Sequence, residues 1–283
     1  MIEKSLHKVN NWFYTADYKI KNWQFLTGNS LKIIACLSMV IDHFTKIVLF
    51  GAISTNLITK IELGEMPYES YNELRSFGLH LIGIGRIAFP LFCFLLVEGF
   101  CHTHDRKNYG RNLLIFALLS ELPFDLGFFS TLSLQENTFP FYWDYQNVLF
   151  TLFLGFLTMV CLEKFSTISK QKRFVSFLLQ IGSVLLFCLI AELIKSDYTS
   201  EGILIIAGLY IARNNRLYQI ILFLLAYILT TGEQPNLFIM IACLGILLYN
   251  GKRGKIHLKY AFYAFYPLHI LLLYLLNTYL LGK

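Results

Sequence analysis

Charge is what this 283-residue sequence has least of. Only 15% of its residues are Asp, Glu, Lys or Arg, against about 25% in soluble domains. The deficit is concentrated in apolar runs of span length that recur along the whole chain, so no separate soluble domain is expected. Paired cysteines are missing too. Cys36, Cys93, Cys101, Cys161, Cys188 and Cys243 all lie in or at the ends of apolar runs, and none forms a CxxC pair. That excludes a disulfide framework and a zinc site built on thiolates. Residues 1–29 lack an apolar segment before a small-residue cleavage site, so they do not read as a cleavable signal. No low-complexity segment and no clear internal repeat is present. Paired halves of the kind many secondary transporters show are therefore not visible.

What is there is hydrophobic: 56% of residues, with a mean hydropathy of +0.55. Apolar runs read as spans at about 30–51, 83–102, 109–128, 146–163, 174–195, 199–213, 216–231, 236–250 and 260–281. The sixth to eighth are short for a helix that needs about 20 residues. Asn214-Asn215 reads either as a tight turn or as a broken helix. Loop charge gives the orientation. Lys4, Lys8, Lys19, Lys21 and Lys32 precede or open the first run, and Arg106, Lys107 and Arg111 follow the second. Lys164, Lys170, Lys172 and Arg173, then Arg213 and Arg216, then Lys252, Arg253, Lys255 and Lys259 continue the series. The alternate loops are poor in Lys and Arg. The fold class expected is an all-α polytopic membrane bundle of about nine helices, N-terminus in and C-terminus out. Topology then explains the net charge of +6, and no nucleic acid need be invoked. The tail, 1–29, mixes Trp12, Phe13, Tyr14 and Trp23 with Lys19 and Lys21, as an interfacial helix does. Residues 30–283 form the membrane domain.

Ionisable residues inside spans cost at least a few kcal/mol each and are usually functional. Asp42-His43 falls in the first span. Lys32 precedes His43 by eleven residues, almost three turns, so both lie on one face about 16 Å apart along the axis. An imidazole is the side chain best suited to exchange protons near neutral pH. Asp42 need not be its direct partner, because adjacent residues point to different faces. Read structurally instead, Lys32 snorkels to the interface and His43 bonds a neighbouring helix.

The second span carries Arg86, Pro90 and Glu98, with a kink expected beside Arg86. The third carries Glu121 and Asp125, four apart on one face. They repel unless a cation sits between them, and Arg86 is the counter-charge expected by depth. A purely structural Arg–carboxylate clamp is the competing reading. Asn147 opens the fourth span, and His269 in the ninth falls near the depth of His43. His102-Thr103-His104-Asp105 lies in a basic loop with the wrong partners for a metal, and no metal is expected.

Taken together, these blocks resemble the TraX family. They are Leu31-Lys32-Ile33-Ile34-Ala35 with Ile41-Asp42-His43, the run Gly85 to Pro90, Val97-Glu98-Gly99-Phe100, Ser120 to Asp125, Gln146-Asn147-Val148 and Tyr266-Pro267-Leu268-His269. The family is named for a conjugation protein that N-acetylates pilin and is similar to a wider group of transmembrane acyltransferases, in which a basic residue, ten intervening residues and a histidine occupy the first span. The resemblance implies a multi-pass protein of the bacterial cytoplasmic membrane that takes acetyl-CoA or another acyl-CoA from the cytoplasm. It implies an acceptor in the envelope: a pilin N-terminus, a glycan or a lipid headgroup. Lys32 would meet the CoA phosphates, and His43 would be base or acyl carrier, with Asp42 beside it. Arg86 would stabilise the oxyanion, and Glu98, Glu121, Asp125, Asn147 and His269 would orient substrate or base. After Asp197-Tyr198 the family carries a glycine, where this chain has Thr199. A proton-coupled transporter using the buried His, Asp and Glu groups is the alternative from another class.

Overall fold

A computed structural model describes residues 13, 15–52, 67–168, 172–255 and 259–281. Residues 11, 12 and 14 of the expected interfacial helix, and Lys60, Glu62 and Glu65 of the first loop, lie outside these residues. Residues 15–20 are helical and lead into a single 3-10 turn, Lys21–Trp23. Ten helices follow, and the described residues contain two isolated β-bridges but no named strand. We label the helices α1 (Gly28–Phe44), α2 (Tyr68–Gly85), α3 (Ala88–His102), α4 (Arg106–Gln135), α5 (Val148–Ser166), α6 (Arg173–Leu193), α7 (Thr199–Ile211), α8 (Arg216–Thr231), α9 (Leu237–Leu247) and α10 (Lys259–Leu281).

Among the described residues, five helical segments are long and apolar enough to cross a membrane: Tyr68–His102, Arg106–Gln135, Val148–Ser166, Arg173–Leu193 and Ala261–Leu280. The chain is a helical membrane protein. Helices α7, α8 and α9 are shorter, at 13, 16 and 11 residues, as their apolar runs indicate. Helix α1 continues past Phe44 through one π turn, Thr45–Leu49, into Phe50–Ala52. Side-chain oxygens cap several of the helix starts. Thr27 accepts from Ser30 N, Asp105 from Asn108 N, Asn215 from Tyr218 N and Asn236 from Phe238 N and Ile239 N. Asn214-Asn215 is thus a tight turn with a cap, not a broken helix.

Two boundaries differ from the sequence reading. The second run begins fifteen residues earlier than read, because Tyr68–Gly85 is already helix. The break then falls at Arg86–Ile87, where Arg86 N and Ile87 N donate to Gly83 O and Ile84 O in i→i−3 bonds. Pro90 lies three residues beyond the break, in the first turn of α3. It has no N–H to donate to the Arg86 carbonyl one turn back, and its ring crowds that carbonyl, so the break falls beside Arg86, where the kink is expected. The third run also extends further, to Gln135.

Helix α3 is the centre of the bundle. Phe89, Leu91, Phe94, Val97 and Phe100 are all buried on it, and it packs on α1, α5, α7 and α9. Helix α6 is the opposite case: Phe174, Phe177, Leu185, Leu189 and Leu193 are exposed, as befits an outer helix facing lipid. Helix α10 packs along α4 and the π turn of α1, and so closes one side of the core.

Candidate active site

A cavity of about 700 Å³ runs along the inner face of α1, within the size range of small-molecule sites. Its walls are aromatic and aliphatic: Phe89 and Phe92 from α3, Phe124 and Phe128 from α4, Leu149 from α5, Phe262 and Tyr266 from α10. Lys32, Arg253, His102 and His104 line one end, and Asp42, His43, Lys46, Tyr145 and Asp197 line the other. The eleven-residue register of Lys32 and His43 therefore places both on one cavity wall. The Lys32 ammonium sits over the Phe262 ring at 5.0 Å.

His43 does not pair with Asp42. Its Nδ1 lies 2.7 Å from His269 Nε2, and the two rings stack at 4.9 Å with 9° between planes. His269 Nδ1 lies 2.7 Å from the Phe265 carbonyl. A carbonyl only accepts, so His269 Nδ1 carries the proton. In the neutral pair His269 Nε2 is then the acceptor, and His43 Nδ1 donates to it. The tautomer that remains leaves a lone pair on His43 Nε2. Phe128 packs edge-on against the His43 ring at 5.1 Å, and Tyr266 does the same at 6.1 Å. The depth match between His43 and His269 was legible in the sequence; the structure sets His269 against His43 and not in the cavity lining.

Asp42 belongs to Lys46, one turn on. Lys46 Nζ donates to Asp42 Oδ2 at 2.7 Å, and the same oxygen is 3.9 Å from His43 Nε2. Gly85 makes this position possible: a Cβ there would fall 2.4 Å from Asp42 Cβ. The loop between α6 and α7 supplies two residues that the sequence reading did not place in the site. Asp197 Oδ1 accepts from the Tyr145 hydroxyl at 2.9 Å. Tyr198 stacks on Phe89 with ring centroids 3.6 Å apart. Burial pushes the Asp197 carboxyl up to about 6, against the pull of the Tyr145 hydroxyl and Lys46. The available signal was the Asp197-Tyr198 pair itself, which lies just beyond a span. Tyr198 and Thr199 both adopt positive φ, 63° and 27°. A left-handed conformation is uncommon for any non-glycine residue and strained for a β-branched one.

Arg86 is not the counter-charge of Glu121 and Asp125. Its Nη1 is 3.4 Å from Glu233 Oε2, with about half of each side chain exposed, and Arg86 does not line the cavity. The break in the helix turns it toward the α8–α9 loop. Glu121 instead accepts from Asn147 N at 2.9 Å and from the Asn147 side-chain amide. Asp125 Oδ2 accepts from Tyr142 N at 3.1 Å. Asn147 caps α5 and also donates to Ala117 O at 2.8 Å. These three residues tie the 142–147 loop to α4, and none lines the cavity. Their expected contact with substrate is replaced by a bracing role. Glu98 does line the cavity, and it pairs at 2.9 Å with Arg216. The sequence reading counted Arg216 as a loop charge, but it is largely buried, between the rings of Phe94 and Tyr249.

The class this geometry defines is a membrane-embedded helical bundle with a histidine pair on the wall of an internal cavity. The chain belongs to the TraX family: the description TraX protein matches it over residues 27–277. The probable fimbrial assembly protein FimC, serogroup H1, of Dichelobacter nodosus is 28% identical to it over 256 residues. That alignment covers 86% of this chain and 92% of the relative. No solved structure matches.

Proposed function

We propose that the protein is a transmembrane acyltransferase, moving an acetyl or other acyl group from cytoplasmic acyl-CoA to an amine or hydroxyl on the outer side. The observation that carries this reading is the single cavity joining the Lys32 end to His43. Nine spans with the N-terminus in and the C-terminus out put the Lys32 end at the cytoplasm, and the alternation of Lys and Arg between loops supports that orientation. An extended thioester arm fits the aromatic cavity, with its phosphates at Lys32 and its carbonyl near His43.

In the reaction the acceptor N–H or O–H attacks the thioester carbonyl, and His43 Nε2 takes its proton. The tetrahedral intermediate collapses, the C–S bond breaks, and the proton passes to the departing thiolate. His269 holds His43 in the tautomer with the Nε2 lone pair. Lys46 takes the role assigned to Arg86 from sequence, because it is the cation adjacent to His43 through Asp42, and a cation there stabilises the developing oxyanion. The fimbrial assembly name of the relative makes a pilin N-terminus one acceptor of the right chemistry; a glycan or a lipid headgroup is another.

The test is release of CoA thiol from acetyl-CoA by the purified protein in nanodiscs, with peptide-amine and sugar acceptors. His43→Ala should lower the rate about 10²–10⁴-fold while the variant stays monodisperse. Transfer at the wild-type rate in that variant would falsify the base assignment. Absence of any transfer, with pH-gradient-dependent flux in its place, would move the protein to the transporter class.

A further inference from the structure

The Lys32 end of the cavity is crowded with positive charge that the protein does not neutralise. Lys32 and Arg253 both line it, and Arg253 is close enough to act electrostatically on the Lys32 ammonium. Among the described residues neither forms an ion pair with a carboxylate. The acids of this end are engaged elsewhere: Glu98 with Arg216, Glu163 with Arg106, Asp105 with Asn108 N and Asp17 with Arg216 N. No Asp or Glu follows Glu233 in the sequence, so the loop holding Arg253 cannot supply its own counter-charge.

That loop is also fixed in place. Leu26 N donates to Leu248 O, Asn250 N to Leu26 O, Gly28 N to Lys252 O at 2.8 Å and Asn29 N to Arg253 O at 2.9 Å. Gln24 Nε2 donates to Leu247 O, and Asn250 Nδ2 to Phe25 O. Gly254, at φ +93°, comes so near α1 that a Cβ would lie 2.8 Å from the Asn29 side chain. The first amides of α1 thus anchor the 248–254 loop rather than an anion. Two like charges held beside one opening, with a backbone ladder resisting their separation, leave a need that an anionic ligand meets. Positive-inside topology accounts for a charge in this loop; it does not account for Arg253 lining the cavity, which Lys252 does not.

We propose that Lys32 and Arg253 form a two-cation clamp for the phosphate groups of the cavity's ligand. This rests on the acyltransferase reading, in which those phosphates belong to the nucleotide end of the thioester donor. An anionic lipid headgroup carries the same chemistry, so the test separates the two sources.

Binding of CoA, adenosine 3′,5′-bisphosphate and phosphate-free pantetheine is measured on the full chain in phosphatidylcholine nanodiscs. The chains compared are wild type, Lys32→Ala, Arg253→Ala, Arg253→Lys and Lys252→Ala. Each lost cation should weaken CoA and the bisphosphate about tenfold or more, with Arg253→Lys between Ala and wild type. Pantetheine binding and the Lys252→Ala variant should be unchanged. Melting without ligand shows that each variant folds, and Arg253→Lys keeps the test alive if an alanine variant does not. The clamp is overturned if Arg253→Ala binds CoA as wild type does, or if Lys252→Ala weakens it equally. It is assigned to lipid, against the proposal, if phosphatidylglycerol nanodiscs abolish CoA binding in wild type but not in Arg253→Ala. CoA held by the clamp without any acyl transfer would retain the clamp and sink the acyltransferase reading. Transfer with an unchanged KM for acetyl-CoA in Arg253→Ala would do the reverse.

Discussion

The two ends of the cavity are built on opposite plans. At the Lys32 end the two cations that line the opening, Lys32 and Arg253, have no carboxylate partner among the described residues. At the His43 end every ionisable group is already joined to another: His43 to His269, Asp42 to Lys46, Asp197 to Tyr145. An end whose charges wait for a ligand changes its electrostatic state on binding. An end whose charges are satisfied internally keeps its geometry through the cycle, which is what pre-organised chemistry needs. In the proposed reaction, binding and chemistry are thus separated along one helix face, with three turns of α1 between them.

Breaking the satisfied end should therefore cost turnover and spare binding. Apart from His43 itself, the largest effect is expected at His269. Replacing it with Ala leaves His43 Nδ1 without its acceptor and frees the ring to change tautomer, so kcat should fall about 10–100-fold with little change in the KM for acetyl-CoA. His269→Gln, which offers an amide oxygen to the same Nδ1–H, should recover part of the loss. Equal losses in KM and kcat would instead make His269 a packing residue. Next is Gly85→Ala. The new methyl group meets Asp42 at 2.4 Å, and overpacking of this kind costs roughly 1–3 kcal/mol; a melting series in nanodiscs reads it directly, and unchanged stability would show that Asp42 moves aside freely.

A subtler change sharpens the same contrast. Asp197 is held protonated up to about pH 6 in the fold, against about 3.9 in the unfolded chain. The folded state then binds more protons between those values, so this group's contribution to stability falls as pH rises from about 4 to 6 and is flat above. Asp197→Asn should remove that slope, seen as the difference between wild-type and variant melting curves across the window. An identical slope in both chains would assign it to other groups. The smallest effect belongs to Thr199→Gly. At φ 27° the glycine that the family carries relieves backbone strain, and stabilisation of about 1 kcal/mol is expected. Destabilisation would mean that the Thr199 side chain contributes more than its backbone costs.

Much of this was readable from residue spacing. Lys32 and His43 sit eleven apart on one helix, and a helical period carries both to the same wall. His269 shares the depth of His43 because each occupies a similar place in an apolar run. Local periodicity does not say which distant groups meet. Arg86 was matched to Glu121 and Asp125 by depth alone, while its partner Glu233 lies 147 positions away, across a helix break that turns the arginine outward. Glu121 and Asp125 looked like a charged pair in need of a cation, yet Glu121 and the Oδ2 of Asp125 accept from amides of the 142–147 loop. Arg216 read as a topology signal, since a loop position and a buried ion pair leave the same mark in sequence. Asp197 and Tyr145 were missed because both stand outside the spans, and only the fold brings their loops to the cavity.

Helix α10 supplies Phe262, Phe265 and Tyr266 to the cavity and His269 to His43. Without α10, His43 has no partner for its Nδ1 and one wall of the cavity is missing. In the proposed mechanism competence therefore depends on α10 resting against α4 and the π turn of α1. A chain cut short before Lys259 has its cation at Lys32 and the imidazole at His43, but not the ring that tells the imidazole which nitrogen to offer.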